Sequence, residues 1–405
     1  MVAIANGHVN THIAEAGTPR HSGVEKNGVG VAPLDASKLV INLTDKPNSI
    51  PDPSTLKFGQ TFTDHMLVMS FDPKSGWSAP ILQPYQPLAI DPSASCFQYS
   101  TNLFEGMKAY LGPDGEARLF RPNLNMERMR TSAARVALPT FDHDTLLTLI
   151  RKLVAVERRW IPSLPGYSLY IRPTMIGTRP HLGVGPSDHA IIYVICSPTG
   201  PYFGAGAKSI SLYAVYETVR SWPGGTGGHK LGLNYSPGFE ALKLATQRGY
   251  NQVLWLLGDG DEHKITEAGA MNFFIAVQRT DGDVDLITPP LDGTILPGVT
   301  RSSVIELAHA HSSGTPLDGI SPSQRMHVHE RTLTMNDLKK FSEEGTLLEA
   351  FCVGTAVIVA SINRIGYEDK DILLPEKTPI CHALHSRIEA IQEGRFEFQG
   401  WSVKC

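Results

Sequence analysis

PGGTGGHKLGLNYS, residues 223–236, sets one lysine behind four glycines, and the use made of that lysine decides the fold. A nucleotide loop would cradle phosphate on its backbone N–H groups, with glycine directly before the lysine and Ser or Thr directly after it to serve Mg²⁺. Here His229 precedes Lys230 and Leu231 follows, so both diagnostic positions fail. A second possibility is an amine presented by an unusual backbone for covalent chemistry with a carbonyl. A third is a surface lysine in a flexible glycine loop, the commoner fate of a lone lysine.

The covalent reading asks for companions, and the chain supplies candidates. Tyr235 precedes a helix start at Ser236-Pro237, so its hydroxyl can bond an anionic phenolate. In ITEAGAMNFF (265–274), Glu267 lies between strand-like apolar runs, where a carboxylate is costly without a cationic partner. LPGVT (296–300) opens a helix with free backbone N–H groups, a ready phosphate site. An amine, a phenol, a buried carboxylate and an anion site are what pyridoxal 5'-phosphate requires of a protein.

The bulk numbers fit an enzyme of ordinary globular make-up. The 405 residues predict two domains or more, and 41% hydrophobic with 19% charged residues leaves ample core. A net charge of −4 argues against nucleic acid or a membrane surface as partner, since both call for a positive field. Five cysteines are scattered, with no CxxC pair and no zinc spacing, so a reduced intracellular protein without a metal is expected. The histidines of HAH (309–311), HVH (327–329) and HALH (382–385) come with no carboxylate framework for a metal. The opening residues lack a secretory pattern. The expected compartment is the cytoplasm, with mitochondrial import as the alternative.

Along the chain, residues 1–55 read as a mostly disordered extension rich in Gly, Asn, Ser, Thr and Pro. Residues 56–201 read as a small α+β domain: strands at 65–71, 108–111 and 117–120, helices over 122–138 and from Asp144 to Trp160, then strands in SLYIRPTMIG and HAIIYVIC. YFGAGAK (202–208) is expected to link it to a larger domain, 209–405. That domain should hold helices from Ser236, from Thr300, from Thr334 and from Ile380, with strands between them. Strands and helices do not alternate regularly, which argues against a Rossmann sheet.

Nine stretches together resemble the branched-chain amino acid aminotransferases, pyridoxal phosphate enzymes of fold type IV. They are FGQTFTDHM (58–66), FQYSTNLFEGMKAY (97–110), RLFRPNLNMERM (118–129), SLYIRP (168–173), RSWPGGTGGHKLGLNYSP (220–237), QVLWLLG (252–258), ITEAGAMNFF (265–274), LDGTILPGVTR (291–301) and GTA (354–356). The resemblance runs in order from about residue 56 almost to the end. It implies a mixed α/β (α+β) fold with a small N-terminal and a larger C-terminal domain, a homodimer, and the cofactor between domains. It implies that Lys230 is the Schiff-base lysine and sole catalytic side chain, with Arg128, Arg220, Tyr235, Glu267, Val299, Thr300 and Thr355 also holding the cofactor. Phe58, Tyr99, Phe104, Tyr170, Arg172, Tyr202 and Ala356 fall at substrate-pocket positions, Tyr99 from the other subunit. The implied reaction is reversible ping-pong transfer between branched-chain amino acids, glutamate and their 2-oxo acids.

Three departures bear on the substrate. Ala270 stands where the family pattern TEVGTMN has threonine, and Cys352 and Val353 stand in the FGSGTA stretch, placing two larger side chains beside the pocket. The paired cysteines of mammalian members are here Val357 and Ala360, so no thiol switch is expected there. The alternatives are a same-fold aminotransferase with an altered amino or keto acid substrate, and a non-catalytic pyridoxal phosphate-binding homologue. The second would be marked by loss of Lys230, Glu267 or Tyr235, and all three are present.

Overall fold

The structure, a computed structural model, describes residues 31–202, 209–258 and 262–405. Among these residues two sheets carry the fold. The first has ten strands and runs, from one edge, Val40–Ile41, Ile81–Pro84, His65–Asp72, Ala190–Thr199, Ser168–Gly177, Met107–Leu111, Ala117–Phe120 and Ser402–Lys404. Its centre is the long antiparallel pair Ser168–Gly177 and Ala190–Thr199, in register over ten residues. Helices α2 (Pro122–Arg135) and α3 (His143–Val156) cover one face; α1 (Ser95–Tyr99) is short and peripheral. Proline at the first turn of α2 and the Asp142 carboxylate on the Thr145 N–H of α3 explain why those helices begin where they do. Leu146, Leu149, Ile150, Leu153 and Val154 then form the buried stripe of α3 at helical spacing.

The second sheet has nine strands and curls into a ring. Lys264–Ala268, Gln252–Leu257, Ile210–Val215, Ile358–Tyr367, Leu347–Gly354 and Met271–Gln278 pair in turn, and Met271–Gln278 pairs back with Lys264–Ala268. Closure leaves these strands without a free edge. Val284–Thr288 and Met326–Glu330 extend it on one side. Helices α4 (Phe239–Gln247), α5 (Val299–Ser312), α6 (Met335–Glu343) and α7 (Pro379–Gln392) pack around it. The capping box expected from Thr334 and Asp337 is formed at α6. The free N–H groups of Ile380 and Cys381 at the start of α7 are met by the buried Glu349 carboxylate, at 2.7 and 2.8 Å, an acceptor 31 and 32 residues upstream that no local pattern reveals.

Three expectations need correction. Residues 31–55 are ordered: Leu34 is buried in the first core, Val40–Ile41 pairs with Ile81–Pro84, and Asn48 bonds Asp64. Their polar composition hides a segment held by a two-residue edge strand, a buried leucine and side-chain bonds to Asp64. Residues 1–30 and the expected linker segment 203–208 lie outside the described residues. The C-terminal segment does not stay with the second sheet: Ser402–Lys404 returns to pair with Ala117–Phe120 of the first. Finally, the helix read from Ser236 starts as a 3-10 turn, Ser236–Gly238, and becomes α-helical only at Phe239, without a side-chain cap from Ser236.

Candidate active site

Between the two sheets lies a cavity of about 420 Å³ with Lys230 and Tyr235 on its wall, a volume suited to a small organic ligand. The glycine stretch explains how Lys230 gets there. A Cβ at Gly227 would lie 2.3 Å from the Thr294 carbonyl oxygen, and one at Gly232 would lie 1.9 Å from Asn102 Oδ1. Gly227 thus runs too close to the Thr294 backbone for any side chain, and a side chain at Gly232 would have to displace the Asn102 amide. The loop's backbone is then tied to α2 and the first sheet: Lys230 N–H donates to Ser132 Oγ of α2 at 2.9 Å, the Lys230 carbonyl accepts from Phe104 N–H at 3.2 Å, and Leu231 bridges Leu103.

Lys230 Nζ lies 3.3 Å from Tyr235 Oη. Burial, seconded by the nearby Arg128 guanidinium, lowers the Lys230 ammonium to about 8. Burial raises the Tyr235 phenol to about 12. An amine this far below its ordinary range has a substantial neutral, nucleophilic fraction near neutral pH.

Below these two groups is a charged floor. Arg128 on α2 is buried and meets Glu105 through a two-pronged ion pair, Nε to Oε1 at 2.7 Å and Nη2 to Oε2 at 2.9 Å, while Nη1 donates to the Pro297 carbonyl at 3.0 Å. Burial pushes the Glu105 carboxyl up, but Arg128 outweighs it and holds the group below its usual range. Pro297 is one residue before the N-cap of α5, which has no side-chain cap, so Val299 and Thr300 sit where free N–H groups gather. Glu267 is fully buried; its Oε1 accepts from Leu296 N–H at 3.0 Å and Asn272 Nδ2 at 3.1 Å. Its Oε2 lies 2.8 Å from Arg220 Nη1, in a geometry that makes no hydrogen bond. Burial raises the Glu267 carboxyl, with Arg220 opposing. One carboxylate oxygen is therefore left without a hydrogen-bond donor in a buried position, which a ligand N–H can supply.

The far wall is aromatic. Phe58 packs edge-on against Tyr170 and Tyr202, with ring centres 4.8 and 5.2 Å away. The Arg172 guanidinium stacks 4.4 Å over Phe104 and donates to Tyr170 Oη at 3.1 Å, leaving its buried Nε without a partner. Thr355 and Ala356 enter from the turn between Leu347–Gly354 and Ile358–Tyr367. Ile358, which closes this turn, has φ +62°, a left-handed conformation that costs a β-branched residue about 1–3 kcal/mol.

Of the expected residues, Lys230, Tyr235, Phe58, Phe104, Tyr170, Arg172, Tyr202, Thr355 and Ala356 line this one cavity. Arg128, Arg220, Glu267, Val299 and Thr300 lie in the floor beneath it, coupled to it through Arg128, Arg220 and Glu267, whose charges act on Lys230 or Tyr235. Tyr99 does not reach it: it is exposed at the end of α1, bonded to the Leu182 carbonyl. Cys352 and Val353 are also away from the cavity, which corrects their expected place beside it. Strand alternation buries Val353 in the core under α5 and Cys352 in the opposite core, 3.5 Å behind Met271. Ala270 does line the cavity, on the two-residue turn after Glu267. The sequence reading missed Glu105, Ser132 and Asn272; Glu105 was within the quoted FEGMKAY stretch, but only the fold shows it facing Arg128.

The one candidate metal group among the described residues is Asp64, His65 and Glu157. Asp64 already accepts from Asn48 and from Trp160 Nε1 at 2.8 Å, His65 spends its two ring nitrogens on Glu157 and the Thr44 N–H, and Glu157 bonds Asp64 N–H. His327 and His329 pair separately with Asp283 and Asp285.

The family model described as amino-transferase class IV matches residues 102–365. The chain is 46% identical over 379 residues to the mitochondrial branched-chain-amino-acid aminotransferase of Saccharomyces cerevisiae, covering 92% of this chain and 93% of that one. It is 45% identical over 378 residues to the cytosolic form of the same yeast, covering 92% and 98%, and 43% identical over 364 residues to the mitochondrial enzyme of Bos taurus, covering 89% of each. Its fold is similar to that of the branched-chain aminotransferase of Thermoproteus uzoniensis crystallised with norvaline, with a TM-score of 0.65 at 24% identity over 84% of this chain and 99% of that one. The family match and the yeast and bovine relatives agree with the geometry around Lys230: this chain belongs to the class IV aminotransferases, in the branched-chain-amino-acid aminotransferase family.

Proposed function

We propose that this protein is a branched-chain L-amino acid:2-oxoglutarate aminotransferase, working by a reversible ping-pong mechanism with pyridoxal 5'-phosphate. The observation that carries the proposal is the pairing of a buried Lys230 amine with Tyr235 above a floor of Glu267 and Arg128. The residues present fit the cofactor. Glu267 Oε2, buried and without a hydrogen-bond donor, suits a protonated ring nitrogen. Tyr235 Oη suits the phenolic oxygen. Arg128, the N–H groups at Val299 and Thr300, and Thr355 suit the phosphate, and Arg220 balances the charge of Glu267.

When bound, pyridoxal phosphate supplies an electrophilic carbonyl and a sink for the electron pair released at the substrate's α-carbon. Lys230 Nζ first holds the cofactor. With the cofactor in place, the Lys230 amine would accept the proton held at the substrate α-carbon and give it back. Its low proton affinity suits a group that must both accept and give up that proton. Tyr235, 3.3 Å away, fixes the amine's position. The aromatic wall excludes water from these steps.

One pocket must take an aliphatic side chain in one half-reaction and a carboxylate-bearing one in the other. Phe58, Phe104, Tyr170, Tyr202 and Met271 offer apolar surface for leucine, isoleucine or valine. Arg172, with an unpartnered Nε, supplies the cation for glutamate and 2-oxoglutarate. In the homodimer, Tyr99 of each chain completes the other's pocket, and its exposed place on α1 is consistent with that role. No helix among the described residues is long and apolar enough to cross a membrane, and the proposed compartment is the cytoplasm.

The test is turnover of L-leucine with 2-oxoglutarate by the parent and by Lys230→Ala. Activity in the parent and none in a folded Lys230→Ala is the expected result; near-normal turnover by the variant would overturn the assignment.

A further inference from the structure

A second cavity, of about 440 Å³, lies next to the Lys230 cavity, and Tyr202, Ala356 and Val357 border both. Its volume falls in the range of small-molecule sites. One wall is a face of α7: His382, His385, Ser386 and Glu389 recur at three- and four-residue spacing, while Leu384, Ile388 and Ile391 on the helix's other side enter the second core. Pro201, Ile210 and Ile358 add apolar surface.

Lys108, on Met107–Leu111 of the first sheet, brings a buried cation to this cavity and is 7% exposed. Its Nζ donates to the Ala356 carbonyl oxygen at 2.7 Å. An ammonium has three donors, and this bond uses one of them. Burial pushes the Lys108 ammonium down to about 8, a cost that an anion bound beside it offsets. Glu389 is the carboxylate among the described lining residues. It acts on Lys108 through charge alone, without a hydrogen bond between them, and lies 3.8 Å from His385 Nε2. His385 Nδ1 is meanwhile spent on the Val359 carbonyl at 3.0 Å.

A buried ammonium with donors to spare, a carboxylate not bonded to it, and apolar surface therefore line one small cavity. Their complements are a carboxylate, an ammonium and an aliphatic group. We propose that this cavity is a second binding site, for a free zwitterionic α-amino acid with an aliphatic side chain, its carboxylate on Lys108 and its ammonium on Glu389. The site is separate from the Lys230 cavity and depends on no reaction there.

The experiment blocks the first cavity and measures the second. Borohydride reduction of the cofactor-loaded parent with L-leucine present fixes leucine to the cofactor and fills the Lys230 cavity. Equilibrium dialysis with labelled L-leucine is then run on this protein and on Lys108→Met, Glu389→Gln and Ser386→Trp prepared in the same way. The parent takes up one further leucine per chain, with a Kd of about 1 mM or tighter. 4-Methylpentanoate, which lacks the ammonium, and 3-methylbutylamine, which lacks the carboxylate, each bind at least about tenfold more weakly, as does leucine to Lys108→Met and Glu389→Gln. Ser386→Trp, a change at an exposed position of α7, plugs the cavity and abolishes uptake while the melting temperature holds. No saturable uptake by the parent below about 10 mM overturns the proposal. So does uptake that Glu389→Gln and a folded Ser386→Trp leave unchanged, and these two decide the matter if Lys108→Met does not fold. 4-Methylpentanoate binding as well as leucine would also overturn it, since the cavity would then be an anion site without a role for Glu389. A parent on which borohydride fixes no leucine tells against the aminotransferase reading instead, and the comparison of dialysis among the variants still decides this one.

Discussion

Replacing Glu105 by glutamine removes one negative charge from a fully buried position and leaves the side-chain volume nearly unchanged. In the parent, its two oxygens accept from Arg128 Nε and Nη2 at 2.7 and 2.9 Å, and Oε2 also accepts from Asn125 Nδ2 at 2.9 Å. A glutamine keeps one oxygen for Arg128 and turns an NH₂ toward the other donor, so one of the two prongs becomes donor against donor. Removing one partner of a buried ion pair costs about 3–5 kcal/mol, and the retained oxygen places Glu105→Gln near about 3 kcal/mol, more than a hundredfold in the folding equilibrium. The assay is urea unfolding of the cofactor-free protein at pH 7. Arg128 holds the Glu105 carboxyl below its ordinary range, so its contribution is fully present above about pH 4.5 and lost as the pH falls through the folded value. The parent–variant gap should therefore be full at pH 7 and narrow in acid. A loss under about 0.5 kcal/mol at pH 7, or a gap that widens in acid, would refute the buried pair as the support of Arg128.

Further outcomes follow from the same geometry. Capture of pyridoxal phosphate by the cofactor-free protein needs the neutral Lys230 amine, which burial brings to about 8. Its rate should climb with pH and level off above about pH 9; a rise continuing past pH 10, as for an ordinary lysine, would contradict the buried environment. Arg172→Met should raise KM for glutamate and 2-oxoglutarate by about tenfold to a hundredfold, the range of a lost charge-assisted hydrogen bond, while leucine is little affected. An equal loss for both substrate types would remove Arg172 from side-chain recognition. Glu349→Ala should lower unfolding stability by about 1–3 kcal/mol, because two buried N–H groups at the start of α7 lose their acceptor; thermal unfolding with an unshifted midpoint would show that water replaces it.

Much of the site could be read before the fold was known because its chemistry is local in sequence. Lys230 and Tyr235 are five residues apart, and Val299 and Thr300 lie at a helix start that proline and glycine announce. Periodicity likewise marks α3, whose buried stripe recurs at helical spacing, while the central strand pair shows itself as long apolar runs buried at most positions. What stayed hidden depends on distant partners. Glu105 gains its meaning from Arg128 across the sheet, and Glu349 from a helix that begins 30 residues later. The order of residues 31–55 comes from a two-residue edge pairing, the Asn48–Asp64 bonds and a few apolar anchors such as Leu34, which overall composition does not single out. Cys352 and Val353 were misplaced because a stretch of sequence near a pocket does not tell which face each strand residue takes. Two folded facts decide that: the register of Leu347–Gly354 against Met271–Gln278, and the two cores on either side.

The measurement that bears most directly on Lys230 and its surroundings is the absorbance spectrum of the protein loaded with pyridoxal phosphate, recorded before and after L-leucine is added with no keto acid present. The expected result is a visible cofactor band that is lost on adding leucine and restored by 2-oxoglutarate, both changes being absent in Lys230→Ala. A cofactor band in the parent that leucine, isoleucine and valine all leave unchanged would contradict the proposed amino donor.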